Sequence, residues 1–336
     1  MTSLANRIRR GVIVILLAAL SSCTVDAGRP VSQRVVAFNK QIALTFDDLP
    51  YANRKAPRAE VIASTATILR VLRAHRAKAV GFVNEDRLAD TGKLDTGKRL
   101  LRNWLRAGMD LGNHNYGHVG LQDTALEAYE AAVLKGEVHT RKLLWDERRE
   151  KPRYYRHPFT QTGQSTLVKT QFEEFLREHG YTVAPFTVEH DDYVFSAVYD
   201  DALAHGDTAQ AAKLRVAYLS HLDDALAVFE TMSQEIFKRQ IPQVLLIHAN
   251  RLNADTLEQT LSRLEARGYG FTTLDAALGD PAYATRDGFI GRAGPSWLLR
   301  WARGLRIKTS VGGQPDPETW IMARYEEILS EQDPAP

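Results

Sequence analysis

With 336 residues, 44% hydrophobic and 25% charged, the chain has the composition of a soluble globular protein, long enough for one large α/β barrel with appendages or for two ordinary domains. A formal net charge of +2 gives no strong electrostatic pull toward nucleic acid, and no glycine-rich phosphate cradle supports nucleotide chemistry. The single cysteine, Cys23, excludes an intramolecular disulfide.

Arg7, Arg9 and Arg10 precede an apolar run over residues 11–20, too short to span a bilayer but suited to the core of a signal peptide. It ends at Leu20-Ser21-Ser22-Cys23, which resembles the lipobox of bacterial lipoproteins. That resemblance implies a signal peptide over 1–23, lipidation of Cys23 and a membrane-surface tether; an ordinary cleaved signal or an uncleaved anchor is the alternative. By resemblance to lipoprotein sorting, Thr24 after the cysteine, in place of Asp, implies the periplasmic side of an outer membrane where the organism has one. Residues 24–38 read as a polar tether.

From residue 41 onward, short apolar runs alternate with helical periodicity. Strands are expected at 41–46, 79–83, 109–112, 153–156, 182–188, 243–247 and 270–274. Helices are expected at 59–75, 97–107, 123–145, 164–179, 196–205, 208–239 and 254–267. Alternation of this kind means a parallel sheet, and the number of units favours a barrel over 39–280. The stretch 196–239 exceeds one crossover helix and reads as a helical insertion, either a lid or a packed hairpin. Beyond 280 lies a C-terminal extension with a final helix started by Asp316 and Pro317. This extension can pack on the barrel or meet an envelope surface through Arg300, Arg303 and Arg306; packing is the favoured expectation.

Polar residues recur where strands end. Asp47-Asp48 follow the first strand, His114 and His118 the third, Arg156 the fourth, Asp191-Asp192 the fifth, and His248 the strand at 243–247. In an α/β barrel these positions open on one face, where active sites form. Two imidazoles four residues apart are weak evidence alone, but Asp48 beside them makes a two-His, one-Asp set that leaves coordination positions open. Such ligands suit Zn²⁺, with Co²⁺, Ni²⁺ or Mn²⁺ as alternatives. Adjacent carboxylates cannot both point the same way, which leaves one for the metal and one to take a proton from water. Arg156 can hold that second carboxylate ionised, and His248 is suited to be a general acid. His157 and His190 adjoin these motifs and are placed along the cleft without roles. Trp104 reads as core, the remaining histidines as ordinary surface or half-buried residues, and Asp200-Asp201 and Asp223-Asp224 as solvated helix acids.

Taken in order, Thr45-Phe-Asp-Asp48, His114-Asn-Tyr-Gly-His118, Arg156-His-Pro-Phe159, Asp192-Tyr193 and Leu245-Leu-Ile-His248 resemble the five motifs of the polysaccharide deacetylase family, also called the NodB-homology or carbohydrate esterase family 4 group. The resemblance covers about residues 40–278. It implies a distorted (β/α) barrel and metal-dependent removal of acetyl groups from an acetylated glycan. By motif position Asp47 is the base; Asp48, His114 and His118 are metal ligands; Arg156 orients Asp47; His248 is the acid, tuned by Asp192. Phe159 and Tyr193 line the substrate pocket, and a backbone N–H near Phe159 is a candidate oxyanion donor. Three residues depart from the family pattern: Asn115 for Ser or Thr, Thr160 for Gly, and Tyr193 for Trp. An O-acetyl esterase and a non-catalytic glycan-binding lipoprotein are the alternatives.

Overall fold

The structure, a computed structural model, describes residues 39–292 and 294–332. The signal segment, Cys23 and the tether to residue 38 lie outside the described residues. The elements run β1 (Lys40–Leu49), α1 (Arg58–Ala74), β2 (Ala79–Val83), α2 (Leu94–Arg106), β3 (Asp110–Asn113), α3 (Leu126–Lys135), α4 (Val138–Asp146), β4 (Tyr154–Tyr155), α5 (Thr166–Glu178), β5 (Thr182–Val183), α6 (Asp192–Ala204), α7 (Thr208–Phe237), β6 (Gln243–His248), α8 (Arg251–Ala266), β7 (Tyr269–Thr272), α9 (Leu274–Leu278), α10 (Trp297–Gly304) and α11 (Thr319–Gln332).

All pairings are parallel, in the order β5-β4-β3-β2-β1-β6, with β7 alongside the first residues of β1. Strands β1 and β2 are buried on both faces, as their continuous apolar runs require when helices cover a parallel sheet. The chain beyond β5 completes the ring: Val188 bridges Leu245, with Leu246 N–H donating to the Val188 carbonyl at 3.0 Å. The result is a distorted (β/α) barrel whose strands all deliver their C-terminal ends to one rim.

Two registers position the chemistry. Residues Ile42 to Asp47 pair with Gln243 to His248, so Asp47 stands opposite His248. Asn113 pairs with Tyr155, so His114 and Arg156 leave adjoining strands side by side. The β1–β2 register slips between Phe46 and Leu49, an irregularity of the bulge type that re-aims side chains, and Asp48 there adopts φ 66°.

Several expectations are corrected. The single helix over 123–145 is two, α3 and α4, because buried Glu85 accepts the Thr140 and His139 amides (2.5 and 2.9 Å) and so starts α4 afresh. The first helix of the insertion begins at Asp192, four residues before the expected start. The last helix begins at Thr319, after Asp316 and Pro317, because the Glu318 carbonyl accepts its first amides.

The extension packs. Trp297, Leu298 and Trp301 are buried in the same core as the barrel strands, and the Trp297 amide donates to the Phe186 carbonyl at 3.0 Å. Arg300 is 1% exposed, paired with Asp287 at 3.0 Å and donating to the Thr160 carbonyl at 2.8 Å, so it cannot meet an envelope surface. Helix α11 buries Ile321 and Ile328 against α6 and α7. Its Arg324 grips Asp201 with two bonds of 2.9 Å, so Asp201 is an anchor instead of a solvated acid. Asp200 likewise accepts from Asn53 at 2.8 Å, and Asp223 pairs with Arg263. Among the described residues, no helix is long and apolar enough to cross a membrane.

Candidate active site

At the end of β1, Asp47 and Asp48 are both nearly inaccessible to solvent. A regular strand would send them to opposite faces, but the slip and the left-handed backbone at Asp48 bring both to one imidazole: His114 Nε2 is 3.8 Å from Asp47 Oδ2 and 3.7 Å from Asp48 Oδ1. The expectation that neighbouring carboxylates cannot converge therefore fails here, for that local reason.

Asp48, His114 and His118 present one ligand atom each within 4.8 Å of one another. Asp48 Oδ1 lies 3.6 Å from His118 Nε2 and has no hydrogen-bond partner, an orphaned buried oxygen that a cation would satisfy. His114 Nδ1 donates to the Arg156 carbonyl at 2.8 Å, which leaves Nε2 as the free lone pair. The loop carrying both histidines turns sharply through Asn115 (φ 64°), Gly117 (φ 79°) and His118 (φ 48°), a path that L-residues follow only under constraint. Asn84 supplies part of that constraint, its Nδ2 donating to the His114 and Asn115 carbonyls at 2.7 and 3.0 Å. Burial drives both imidazole pKa values down, to the neutral form a ligand needs. Burial alone would raise the Asp48 pKa, but His118 and Arg87 outweigh it and hold the carboxylate well below its usual range. The donor set fits a divalent ion.

Asp47 faces the buried guanidinium of Arg156, whose Nη1 is 3.6 Å from Oδ2. Arg156 is fixed by Thr45 Oγ1 at 3.0 Å and by the Phe82 ring, 4.7 Å below it. Burial pushes the Asp47 pKa up to about 6, with Arg156 and His248 opposing the rise. A carboxylate poised there is ionised at neutral pH yet basic enough to accept a proton.

Across the cleft, His248 Nδ1 donates to Asp192 Oδ1 at 2.7 Å, and the His248 amide donates to Oδ2 at 2.8 Å. Burial would lower the imidazole pKa, but Asp192 dominates and lifts it to about 10, so His248 holds its proton at neutral pH. Asp192 also accepts from Asn250 at 3.2 Å and Asn253 at 2.6 Å, and sits in the first turn of α6.

The family model for polysaccharide deacetylases matches residues 36–194. Over that stretch the chain resembles the polysaccharide deacetylase family. Among curated relatives, the peptidoglycan-N-acetylglucosamine deacetylase PgdA of Listeria monocytogenes is 23% identical over 244 residues, covering 72% of this chain and 40% of that protein. The match thus spans about two fifths of that relative's length. Solved structures that resemble the chain include a family 4 carbohydrate esterase from Streptomyces lividans (18% identity, 72% of this chain and 97% of that one, TM-score 0.45). A carbohydrate esterase family 4 pseudoenzyme from Bacillus anthracis aligns at 15% identity over 72% and 66% of the two chains, TM-score 0.46.

Against the polysaccharide deacetylase motif pattern, the structure places the three departures. Asn115 is fully buried, its Nδ2 3.3 Å from the Tyr155 hydroxyl, with a backbone (φ 64°, ψ 151°) that L-residues rarely adopt and that the surrounding bonds hold in place. Thr160 Oγ1 donates to the Gly294 carbonyl at 2.7 Å, tying the motif loop to the extension. Tyr193 is 47% exposed and meets His248 edge-on, ring centres 6.4 Å apart, while Phe159 is 56% exposed and 4.5 Å from His118. These two rings wall the cleft from opposite sides. His157 and His190 do not line it: both are buried beneath, His157 against Tyr155 and Phe172, His190 stacked 4.9 Å from Tyr218. His221, expected at the surface or half-buried, is buried, 3.7 Å from Asp191.

Arg87, which approaches Asp48 at 3.1 Å, escaped the sequence reading, as did Asn84, Asn250 and Asn253. Asn250 carried a usable signal, since it precedes a periodic helix and caps α8 by accepting the Asn253 amide. Arg87 follows β2 in a short 3₁₀ turn and offered none.

Proposed function

We propose that the chain is a metal-dependent deacetylase that hydrolyses acetyl groups from an N-acetylated polysaccharide or oligosaccharide. The observation that carries this reading is the pairing of Asp47 with His248 across adjoining strands, a proton acceptor and a proton donor on either side of one metal-ligand set. Asp48, His114 and His118 would hold the ion, which supplies Lewis acidity toward the acetyl carbonyl and lowers the pKa of water. Imidazole and carboxylate donors favour Zn²⁺. Asp47 takes the proton from the attacking water while Arg156 keeps its carboxylate oriented. His248 then delivers its Nε2 proton to the departing nitrogen as the C–N bond breaks, and Asp192 stabilises the imidazolium beforehand. Phe159 and Tyr193 exclude water and guide the sugar.

The relative PgdA bears a name that specifies peptidoglycan N-acetylglucosamine, which makes peptidoglycan the first substrate to try. The signal segment and Cys23 support a lipid anchor at the envelope, on the periplasmic face of an outer membrane. Labelling with a radioactive fatty acid checks this: incorporation is expected in the parent and absent in Cys23→Ser.

The functional test is acetate release from N- and O-acetylated glycans by the full chain, with chelation and metal re-addition, beside Asp47→Asn. Metal-restored release that Asp47→Asn abolishes supports the reading. Preference for O-acetyl substrates would make the protein an esterase. A metal-loaded protein silent on every substrate would leave glycan binding without catalysis.

A further inference from the structure

The sequence motifs account for Asp192 and His248, but not for what fixes Asp192. Its Oδ2 accepts from the Asn253 side chain at 2.6 Å, and the same amide nitrogen donates to the His248 carbonyl at 2.8 Å. Asn253 is 1% exposed, so both amide protons are committed inside the protein. An amide side chain can present either end, and the flipped orientation would aim Oδ1 at the Asp192 carboxylate. Tyr218, on insertion helix α7, favours the observed orientation: its hydroxyl donates to Asn253 Oδ1, a bond the flipped amide would lose. Burial and the nearby Asp192 drive the Tyr218 pKa well above its ordinary value, so the phenol remains a donor. The Tyr218 ring is fully buried, stacked 4.9 Å from His190 and tilted against Phe195 at 5.5 Å, which fixes where its hydroxyl sits.

Resting on the deacetylase reading above, we propose that Tyr218 is a positioning residue for the general acid: through Asn253 it locks Asp192, and thereby His248, in the orientation that delivers a proton to the leaving group. The insertion then has a task in the chemistry besides packing. Tyr218 lies beyond residues 36–194, so the family match does not assign it this part.

Leaving-group dependence separates this role from a merely structural one. A sugar amine must be protonated as it departs, whereas the phenolate of an activated aryl acetate leaves without help. In the full-length, metal-loaded protein, Tyr218→Phe keeps the ring and removes the hydroxyl. Its ratio of amide to aryl-acetate turnover is expected to fall roughly ten-fold, with KM for the amide unchanged, because a mispositioned acid forfeits part of the 10²–10⁴ that general acid catalysis supplies. Tyr218→Phe added to Asn253→Ala should cost nothing further, since the two groups act in series. A ratio within two-fold of the parent, or equal losses on both substrates, overturns the proposal. The downfield Nδ1–H resonance of His248 gives a second readout that needs no turnover. Its loss or upfield shift in Tyr218→Phe supports the link, and an unchanged resonance refutes it. A parent that releases no acetate at all would fail the deacetylase reading alone, because the resonance would still decide this one.

Discussion

The metal side of the cleft takes its groups from neighbouring strand ends: Asp47 and Asp48 from β1, His114 from β3, Arg156 from β4. The acid side takes His248 from β6 but surrounds it with Asp192 from α6, Asn250 and Asn253 from α8, and Tyr193 from α6, against which the extension's Tyr325 packs. On the first side, parallel register does most of the positioning: β1 and β3 each pair with β2, and that shared neighbour sets His114 beside Asp47 and Asp48. On the second, a single carboxylate collects donors from several elements and passes its orientation to one imidazole. On the proposed reading, the barrel fixes where hydrolysis would occur, while the insertion and the extension adjust how the proton and the sugar would be handled.

The sharpest way to break the comparison is on the metal side. His114→Ala removes a ligand and leaves the Arg156 carbonyl without its donor. Bound metal should fall below stoichiometric in elemental analysis, and acetate release should drop by roughly three orders of magnitude or more, since metal catalysis contributes several kcal/mol to the transition state. Full activity with no bound metal would remove the basis of the mechanism.

Next is the acid side. Asp192→Asn removes the charge that raises the His248 pKa to about 10. Burial is then opposed only by the smaller pull of Asp48 and Asp47 and moves that pKa down, so His248 loses its proton at a lower pH. The basic limb of the rate profile should therefore shift to lower pH, away from about 10, with N-acetyl turnover at neutral pH down roughly 10²-fold and aryl-acetate turnover much less affected. An unmoved basic limb would show that His248 is not the group titrating there.

These two predictions also mark what was readable in the sequence. The convergence of the candidate site positions was legible because each stands just past an apolar strand run, and parallel strands deliver such positions to one rim. The strand at 79–83 and the pairing logic of the barrel followed from the same periodicity. The slip that converges Asp47 and Asp48 was not legible, because it depends on how β1 registers with β2, a long-range relation invisible to local pattern. The extension was expected to pack, but the partner that turns Arg300 inward, the half-buried Asp287, was not legible for a similar reason. Asp201 read as solvated because its partner, Arg324, is more than a hundred residues away. Charged pairs set by tertiary contact leave no local trace.

Arg87 offers a finer test of the metal side, because it supports a ligand without being one. It approaches Asp48 Oδ2 at 3.1 Å and donates to the Ala52 carbonyl at 3.0 Å, bracing the turn after β1. Arg87→Met should weaken metal affinity roughly 10- to 100-fold, the usual cost of losing a partner of a metal ligand. Activity should return at saturating metal, which titration with a competing chelator would reveal. Lost activity that excess metal does not restore would mean that Arg87 acts on substrate instead.

The smallest effect is expected where the extension reaches the cleft. Tyr325 is half-buried on α11, its ring 6.0 Å from that of Tyr193 and nearly perpendicular to it. Neither phenol finds a hydrogen-bond partner among the described residues, and an amphipathic ring with a free hydroxyl suits a sugar better than it suits the core. Helix α11 is held by Ile321, Ile328 and the Arg324–Asp201 pair, so truncating Tyr325 should leave it docked. Tyr325→Ala should then raise KM for long acetylated oligomers by roughly three-fold, the equivalent of about 0.6 kcal/mol of lost contact, and leave monomer kinetics unchanged. An equal change on oligomer and monomer would place the effect at the acid through Tyr193. No change on either would confine the extension to packing behind the barrel, and the acid side would owe its shape to the insertion alone.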